Sequence, residues 1–243
     1  MARRPFPTEL MRAFQLLFIA VPTMLAAQNA TAPRTLPTNP RWWFGGVAQF
    51  ASPRGEFATQ VDGAWGVAGH GLFRVAGPVL ARVDLGYLNY GREVRRQPLG
   101  TGGLGLVNVD VATTNNIVTG GIGAQLGAPG KRVSPYVGAS VGYSYFYTRS
   151  SAEGQGNQNQ GAFASTTNLD DATFAPAVFG GLYWPITDWI RLDLHVRRQS
   201  HDEVRYLREG SITFDAQQRP ILAPVRTRAD YMTFGIGVTA IAF

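Results

Sequence analysis

The chain has 243 residues, a formal net charge of +6 and no cysteine, and the missing cysteine excludes disulfide bonds, thiolate metal sites and the lipidated cysteine of a bacterial lipoprotein. The positive charge comes almost entirely from arginine, with Lys131 the only lysine, and it is spread along the chain. Because nucleic-acid binders gather basic residues on one face or in one run, this spread predicts no nucleic-acid partner.

Residues 1–27 have the layout of a cleaved secretory signal. Their basic head contains three arginines, Arg3, Arg4 and Arg12. The apolar run that follows, 13–25, is too short for a membrane anchor, because a helix needs about twenty residues to cross the bilayer core. We therefore predict cleavage after Ala27, an N-terminal periplasmic segment over 28–40, and one mature domain over 41–243.

Apolar and polar residues alternate with a period of two through the rest of the chain. Such alternation is typical of strands, whose successive side chains point to opposite faces. In the clearest example, 189–197, apolar residues alternate with four polar ones, Arg191, Asp193, His195 and Arg197. The pattern predicts eight strands, over 42–51, 62–74, 79–90, 116–126, 136–147, 173–184, 189–197 and 231–243.

Pro176 conflicts with the sixth predicted strand. Proline has no backbone N–H to donate, and a closed barrel has no free edge at which that loss is harmless. We expect a bulge at Pro176, or a strand that begins after it.

The connections between the predicted strands alternate between short and long. Short turns lie near 76–78, 128–134 and 185–188, and long connections near 52–61, 91–114, 149–172 and 200–230. All the long connections fall at one end of the predicted barrel. Short periplasmic turns and long extracellular loops around an even number of antiparallel strands are typical of transmembrane barrels. The predicted fold is therefore all-β, an eight-stranded antiparallel up-and-down transmembrane β-barrel.

A soluble lipocalin-like barrel is the alternative, because it would place the same apolar stripe in its cavity. Two features favour the membrane barrel. The polar face of the predicted strands is rich in glycine, as expected of a crowded lumen. Its glycines include Gly121, Gly123, Gly138 and Gly142. Aromatic residues also cluster near strand ends, as interfacial girdles do, at Trp42, Trp43, Tyr143, Tyr145, Tyr147, Trp184 and Trp189.

Phe243 is the last residue of the sequence and of the last predicted strand. A terminal strand that ends in Phe resembles the signal that outer-membrane barrels present to the barrel assembly machinery. Phe243 is odd-numbered, so in a regular strand it faces the opposite side from Phe234 and Ile236. A bulge near the end of the strand would place all three on one face. The other interpretation of Phe243 is an ordinary last strand residue, since strands favour aromatic side chains.

Over residues 40–243 the architecture resembles the small outer-membrane barrel families that include the OmpA transmembrane domain and the OmpX and Ail group. The resemblance implies a location in the bacterial outer membrane, in contact with its lipid and lipopolysaccharide. It also implies contact with the barrel assembly machinery through the C-terminal strand.

If the apolar stripe faces lipid, polar side chains from three strands point into the lumen. They are His70, Arg74, Arg82, Asp84, Arg191, Asp193, His195 and Arg197. Charges removed from bulk water must be paired, so we expect a network of arginine and aspartate. The interior of an eight-stranded barrel is just wide enough for side chains to fill it, which predicts a plugged lumen. A passive channel for small solutes is the alternative.

A lipid A-modifying enzyme is a second alternative, and its only candidate cluster is His195, Ser200 and His201 with Asp202 and Glu203. A hydrolase needs its base within hydrogen-bond reach of the nucleophile, whereas a regular strand would separate His195 from Ser200 by about 16 Å. The sequence has no metal-ligand spacing, phosphate-binding loop or haem signature. We therefore predict no catalysis and no cofactor.

The long loops suggest the function instead. Alternating residues in 103–113 and 204–214 predict strands that continue beyond the membrane, and such edges can recruit a partner by strand addition. By contrast, 150–168 is rich in Gly, Gln, Asn and Ser and predicts a mobile loop. We expect a structural or adhesion-like surface role, with an extracellular partner bound through loops 91–114 and 200–230.

Overall fold

The structure is a computed structural model that describes residues 40–99, 107–154, 164–214 and 220–242. The predicted signal peptide, nearly all of the predicted periplasmic segment and Phe243 lie outside the described residues. No helix in the described part of the chain is long and apolar enough to cross a membrane.

The described residues form thirteen strands and one short 3-10 helix, η1 (Phe57–Thr59). The strands are β1 (Trp42–Pro53), β2 (Ala64–Ala76), β3 (Val79–Leu99), β4 (Val107–Leu126), β5 (Ser134–Gly154), β6 (Ala164–Phe174), β7 (Ala177–Pro185), β8 (Ile190–Gln199), β9 (Glu203–Tyr206), β10 (Ile212–Phe214), β11 (Pro220–Leu222), β12 (Val225–Arg228) and β13 (Tyr231–Ile241).

Nine of these strands form a closed antiparallel barrel with eight staves. The order around the ring is β1, β2, β3, β4, β5, then β6 and β7 together, then β8 and β13, which pairs with β1. β6 and β7 share one stave because they pair with successive halves of β5. The predicted eight-stranded fold and the positions of its strands are confirmed.

Pro176 lies at the break between β6 and β7, as expected. The break leaves backbone carbonyls without strand partners, and neighbouring groups satisfy them. The side-chain amide of Gln199 donates to the carbonyl of Ala175 at 2.7 Å, and the backbone N–H of Ser200 donates to the carbonyl of Pro176 at 3.0 Å. The proline is tolerated because the stave is interrupted at this point.

Three short turns define one end of the barrel, the turn end. They follow β2, β4 and β7, and the first is made by Gly77, whose φ of +49° favours glycine, and Pro78. The opposite end, the loop end, holds the long connections. There β3, β4 and β5 continue well beyond the predicted strand ends, so the expected extension of 103–113 is confirmed from Val107 onward.

The predicted mobile loop over 150–168 is wrong at both of its ends. β5 continues to Gly154 and β6 begins at Ala164, and the two strands pair from Ala152↔Ala164 inward to Tyr143↔Phe174. The prediction was based on composition alone. In the structure, pairing between β5 and β6 holds the Ser, Thr and Ala residues of both ends in strand conformation. Residues 155–163 lie outside the described part of the chain.

The segment between β8 and β13 carries two small hairpin ladders. β9 pairs with β12, and β10 pairs with β11, both antiparallel. Strands are therefore present within 204–214, but they do not continue β8 as expected, because β9 and β10 belong to two small sheets separate from the barrel sheet. β13 keeps a regular register with β1 and β8 over Tyr231–Ala240, so the bulge suggested by the phase of Phe243 is absent there.

The barrel interior is arranged in three layers, which the inward residues of β3 show in order. Leu80 belongs to an apolar cluster near the turn end, Arg82 and Asp84 belong to a polar layer, and Leu88 and Tyr90 belong to an apolar cluster near the loop end. We call the outer two layers the turn-end cluster (Trp43, Leu72, Leu80, Tyr136, Phe179 and Tyr183) and the loop-end cluster (Ala51, Phe57, Val61, Ala64, Leu88, Tyr90, Ile117, Phe146, Val204, Tyr206, Ala229 and Tyr231).

Candidate functional site

The outer wall of the barrel is apolar. Large hydrophobic side chains are exposed on every stave, including Phe44, Val67, Val83, Ile122, Val141, Val178, Val196 and Ile236. A continuous exposed surface of this size is unstable in water and stable in lipid. On β5 the outward column from Val137 to Tyr147 spans about 33 Å of strand, which at the usual tilt projects to about 25 Å, the height of the lipid-facing band.

These observations make the soluble lipocalin-like alternative wrong, because its apolar stripe would face inward. The barrel spans a membrane. Single-chain transmembrane barrels with short turns at one end and long loops at the other are the outer-membrane type. The chain is therefore a bacterial outer-membrane protein with the architecture of the small eight-stranded barrels.

Most of the predicted interfacial aromatics lie on this outer wall. Trp42, Trp184 and Trp189 are exposed near the turn end, with exposed fractions of 50%, 56% and 43%. Tyr143 is exposed near the loop end, and Tyr145 and Tyr147 above it are half-buried and stacked on each other, with ring centroids 5.6 Å apart. Six of the seven predicted interfacial aromatics therefore lie on the outside of the barrel.

Trp43 is a correction, because it does not lie at the membrane interface. Its side chain is 0% exposed and belongs to the turn-end cluster inside the lumen. Trp42 and Trp43 are neighbours in β1, so only one of them can face lipid. Trp43 lies four and eight residues before the buried Val47 and Ala51, so all three face the same side of β1. This even spacing is the sequence signal that assigns Trp43 to the inside.

Asp84 is the centre of the polar layer. Arg82 Nε donates to Asp84 Oδ1 at 2.8 Å, and Arg197 Nη1 lies 3.1 Å from Asp84 Oδ2. Arg82 also donates to Gln125 Oε1 at 2.7 Å, and Arg197 also donates to Gln199 Oε1 at 3.0 Å. One carboxylate therefore compensates the buried Arg82 and the half-buried Arg197, and glutamine side chains accept from further N–H groups of both.

Asp193, in contrast, is held by hydroxyl groups. Tyr136 donates to Asp193 Oδ1 at 2.7 Å, and Thr239 Oγ1 lies 3.4 Å from Asp193 Oδ2. His70 Nε2 is 3.6 Å from the same oxygen and 3.0 Å from Thr239 Oγ1. His195 borders the same cavity as His70 and Asp84, and its ring approaches the backbone of Gly235.

Two of the predicted lumen arginines lie at the turn end, outside the Asp84 network. Arg191 donates to the backbone carbonyls of Gly130, Thr187 and Asp188 and so ties two turns together. The guanidinium of Arg74 lies over the Trp43 ring, 5.1 Å from its centroid. The inward parity of both residues was predictable, but their height in the barrel was not.

The polar layer leaves little empty space. The cavity bordered by His70, Arg82, Asp84, His195 and Arg197 measures about 30 Å³. A polar cavity of that size holds one or two water molecules. With an apolar cluster on either side, the layer fills the barrel and leaves no room there for a solute.

Glycines make room for the two lumen histidines, and Gly45 gives a testable case. A Cβ atom on Gly45 would overlap the His70 ring, whereas one on the adjacent Gly46 would point outward and meet only Ala68 O at 4.0 Å. We expect Gly45→Ala to cost about 1 to 3 kcal/mol of unfolding free energy. Gly46→Ala is its matched control and should be neutral within about 0.5 kcal/mol.

Urea unfolding of the refolded barrel in lipid vesicles, followed by tryptophan fluorescence, measures both variants. Equal unfolding free energies for Gly45→Ala and Gly46→Ala would show that His70 does not occupy this space.

The loop-end cluster closes the mouth of the barrel with side chains from two connections. Phe57 of η1 and Tyr206 of β9 meet edge to face, with centroids 5.2 Å apart, and both contact Phe146 and Tyr90 on the barrel wall. All four rings are buried. The long connections therefore fold into the barrel mouth as well as extending from it.

The residues of the candidate catalytic cluster are separated in the structure. His195 points into the polar layer, Ser200 donates its backbone N–H to Pro176, and Asp202 and Glu203 are exposed. His201 instead lies 2.9 Å from Ser144 Oγ, a residue that the sequence did not single out. Ser144 is 0% exposed, so a substrate has no access to this pair in the structure.

Burial of the His201 ring lowers its pKa from 6.5 to about 4. Below pH 6.5 the unfolded chain binds a proton at this imidazole that the folded chain does not bind until about pH 4. The barrel should therefore lose about 3 kcal/mol of stability through His201 as the pH falls across that window. His201→Gln should lack this contribution.

Urea unfolding of the wild type and of His201→Gln at pH 7.5, 5.5 and 4.5 measures the effect. The difference in unfolding free energy between the two proteins removes the contribution of other titrating groups. A difference that stays constant with pH would contradict a buried, neutral His201.

Sequence reasoning missed the neutral partners of the polar layer. Gln125, Gln199 and Ser140 accept from the two arginines, and Tyr136 and Thr239 donate to Asp193. All of these side chains occur at inward parity in the barrel strands, so parity would have found them. Their identity as partners depends on the stagger between strands.

No protein-family model and no curated protein matches this chain. Among solved structures, Neisserial surface protein A is 13% identical with a TM-score of 0.46, over 83% of this chain and 97% of that one. Ail, the attachment invasion locus protein of Yersinia pestis in complex with the heparin analogue sucrose octasulfate, is 8% identical with a TM-score of 0.44, over 84% and 99%. A major outer membrane protein from Thermus thermophilus is 10% identical with a TM-score of 0.44, over 82% and 98%. Similarities this remote carry no conclusion about what this chain binds.

Proposed function

We propose that this outer-membrane barrel is a surface-interaction protein with a non-conducting lumen, whose strands above the membrane bind an extracellular partner. The observation that carries the proposal is the length of β3, β4 and β5. A transmembrane strand needs about 9 to 11 residues, and β3 has 21. Its excess of about ten residues corresponds to about 33 Å of strand beyond the lipid-facing band.

The part of these strands above the membrane has two edges without a strand partner. Within the described residues, β6 pairs only with β5, and β3 pairs only with β4 beyond Asn89. An unpaired edge offers a row of backbone donors and acceptors to which another chain can add a strand. This geometry supports the interaction role assigned to loop 91–114.

Loop 200–230 supports the same role in a different way. Arg95 of β3 donates to the carbonyl of Ile212 at 2.8 Å, and Arg205 Nε lies 3.5 Å from Asp171 Oδ2 of β6. These contacts connect the loop to both edges of the extended strands. A connected set of strands is pre-organised for binding, which reduces the entropy lost when a partner docks.

The filled lumen favours this role over a passive channel. A solute crossing the barrel would have to displace Tyr206 and Phe57 at the mouth, the Asp84 ion pairs in the middle and Trp43 at the turn end. The proposal contains no catalytic step, since the His201–Ser144 pair is enclosed by aromatic rings.

A trimmed variant tests the proposal. Replacing 92–113 by a two-residue turn removes the protruding arms of β3 and β4 and leaves the membrane-spanning strands unchanged. Displayed on a non-adherent Gram-negative strain, the wild type should increase adherence to immobilised matrix protein several-fold, and the trimmed variant should not. Heat-modifiable mobility on a gel confirms that the trimmed barrel folds. Adherence that is absent with the wild type, or retained by the folded trimmed variant, would contradict the proposal.

A further inference from the structure

The protruding part of β3, β4, β5 and β6 ends at two edge strands, β3 and β6, and their sequences differ. The β3 edge carries four charged residues between Arg92 and Arg96, and it also contains Pro98. Charged side chains and proline are devices by which natural sheets prevent an edge from pairing with another chain. The β3 edge is therefore protected by its own sequence.

The connection between β8 and β13 also contacts this part of β3. The backbone N–H of Gly210 donates to Glu93 Oε2 at 3.2 Å, and Arg95 donates to the carbonyl of Ile212 at 2.8 Å. Glu93 and Arg95 are paired with each other as well. A strand that approached β3 would compete with these contacts, so β3 is a poor docking edge.

The β6 edge has neither kind of protection, because residues 164–169 contain no charge and no proline. Ser165, Thr166 and Thr167 are all exposed. Since successive strand residues face opposite sides, the described residues cover neither face of β6 at this point. β9 approaches β6 nearer the membrane, where the backbone N–H of Arg205 donates to Asp171 Oδ2 at 3.0 Å. Among the described residues, 164–170 therefore keep an open edge.

This open edge is long enough to accept a strand. The stretch 164–169 spans about 20 Å, which is the usual length of a strand in globular proteins. Its register with β5 shifts once, at Asn168, whose side chain donates to Ser150 Oγ at 2.7 Å and so holds the irregularity against the sheet. The exposed side chains of this edge are Ser and Thr, whose favourable cross-strand neighbours include Thr.

Asp170 lies at the membrane-side end of the open edge. It is exposed and opposite Tyr147 in the register, and Tyr145 Oη donates to its Oδ2 at 3.1 Å. The neighbouring Asp171 pairs with Arg205, whereas no lysine or arginine among the described residues forms an ion pair with Asp170. A cation at this end of an added strand would therefore be attracted to the Asp170 carboxylate.

We propose that the extracellular partner adds its strand to β6 and not to β3. The partner segment is an extended stretch of protein rich in Thr and β-branched residues, with a lysine or arginine opposite Asp170. β3 and β4 then hold the docking strand in place and do not themselves bind the partner. This inference rests on the proposed function, and it assigns the docking edge to the connection 149–172, whereas the sequence pattern pointed to loops 91–114 and 200–230.

Beads coated with a hexapeptide test the docking edge. In this peptide Thr and Val alternate after an N-terminal lysine, and a non-adherent Gram-negative strain that displays the full chain should bind the beads. Thr166→Lys should reduce the binding at least about threefold, because a charge on an edge opposes strand addition and the many contacts on a bead amplify the loss. Val94→Lys is the matched control, since it adds the same charge to an exposed residue of β3, and it should bind like the wild type.

A second peptide, with glutamine in place of the lysine, tests the role of Asp170. Wild-type cells should prefer the lysine beads to the glutamine beads by about two- to fivefold, the range expected of one exposed ion pair. Asp170→Asn should remove this preference. Asp62→Asn, which removes an exposed carboxylate elsewhere at the loop end, should keep it.

Three results would overturn the inference. Equal binding by Thr166→Lys and Val94→Lys, or a larger loss with Val94→Lys, would show that β6 is not the docking edge. A preference for lysine beads that persists in Asp170→Asn would show that this carboxylate does not meet the cation. Wild-type cells that bind neither kind of bead would exclude the stated partner chemistry. Heat-modifiable mobility on a gel confirms that each variant is folded.

Failure of this inference and failure of the proposed function give different results. If Thr166→Lys adheres to matrix protein like the wild type while the variant trimmed over 92–113 does not, the inference fails and the proposed function stands. If the folded trimmed variant still adheres to matrix protein, the proposed function fails and the inference fails with it.

Discussion

Asp84→Ala is expected to lower the unfolding free energy of the barrel by about 3 to 5 kcal/mol. The substitution removes the one carboxylate that contacts both Arg82 and Arg197 in the polar layer. The buried guanidinium of Arg82 and the half-buried one of Arg197 would then lose their counter-charge inside the barrel, and leaving a buried charge unpaired is the costly case. Urea unfolding in lipid vesicles measures the loss.

Two controls separate charge from packing in this experiment. Asp62→Ala removes an exposed carboxylate and should change stability by less than about 0.5 kcal/mol. A triple variant, Asp84→Leu with Arg82→Met and Arg197→Met, removes all three charges together and should recover most of the loss. If Asp84→Ala unfolds like the wild type, the polar layer does not depend on these ion pairs.

Trp43→Ala should lower the unfolding free energy by a similar amount, about 3 to 5 kcal/mol. Its side chain fills the turn-end cluster beside Leu72 and Leu80, and its ring also contacts the guanidinium of Arg74. Truncation would leave a cavity in a lumen that the barrel wall cannot collapse to fill, since the wall is fixed by its strand pairing.

Trp42→Ala is the matched control for Trp43. Trp42 faces outward and packs on Phe73, with ring centroids 4.5 Å apart, so its loss should cost about 1 kcal/mol. Unfolding by urea should rank the two substitutions clearly. The same loss of stability for both variants, or a larger loss for Trp42→Ala, would contradict the lumen position of Trp43 and would favour the membrane interface that the sequence predicts.

Strand parity determined most of what the sequence could predict. The inward face of β8, with Arg191, Asp193, His195, Arg197 and Gln199, follows directly from period-two alternation. The alternation of short and long loops predicted the order of the staves and the end of the barrel that holds the long connections. These features are local, so a single sequence contains them.

The remaining features depend on non-local geometry. Ser144 and His201 are separated by 57 positions and meet only because the His201 side chain, just after β8, is buried inside the barrel against Ser144 of β5, two staves away. Phe57 and Tyr206 belong to different loops and carry no periodic signal that they enter the lumen. The grouping of Asp193 with hydroxyls and of Asp84 with arginines is also set by stagger.

Recording current across a planar bilayer after insertion of the refolded wild type tests the central claim most directly. The claim is that this outer-membrane barrel is closed by two apolar clusters and an ion-paired polar layer. Insertion, verified by protection of the membrane-spanning strands from protease, should produce no discrete current steps. Reproducible unitary conductance from the inserted wild-type barrel would contradict the claim.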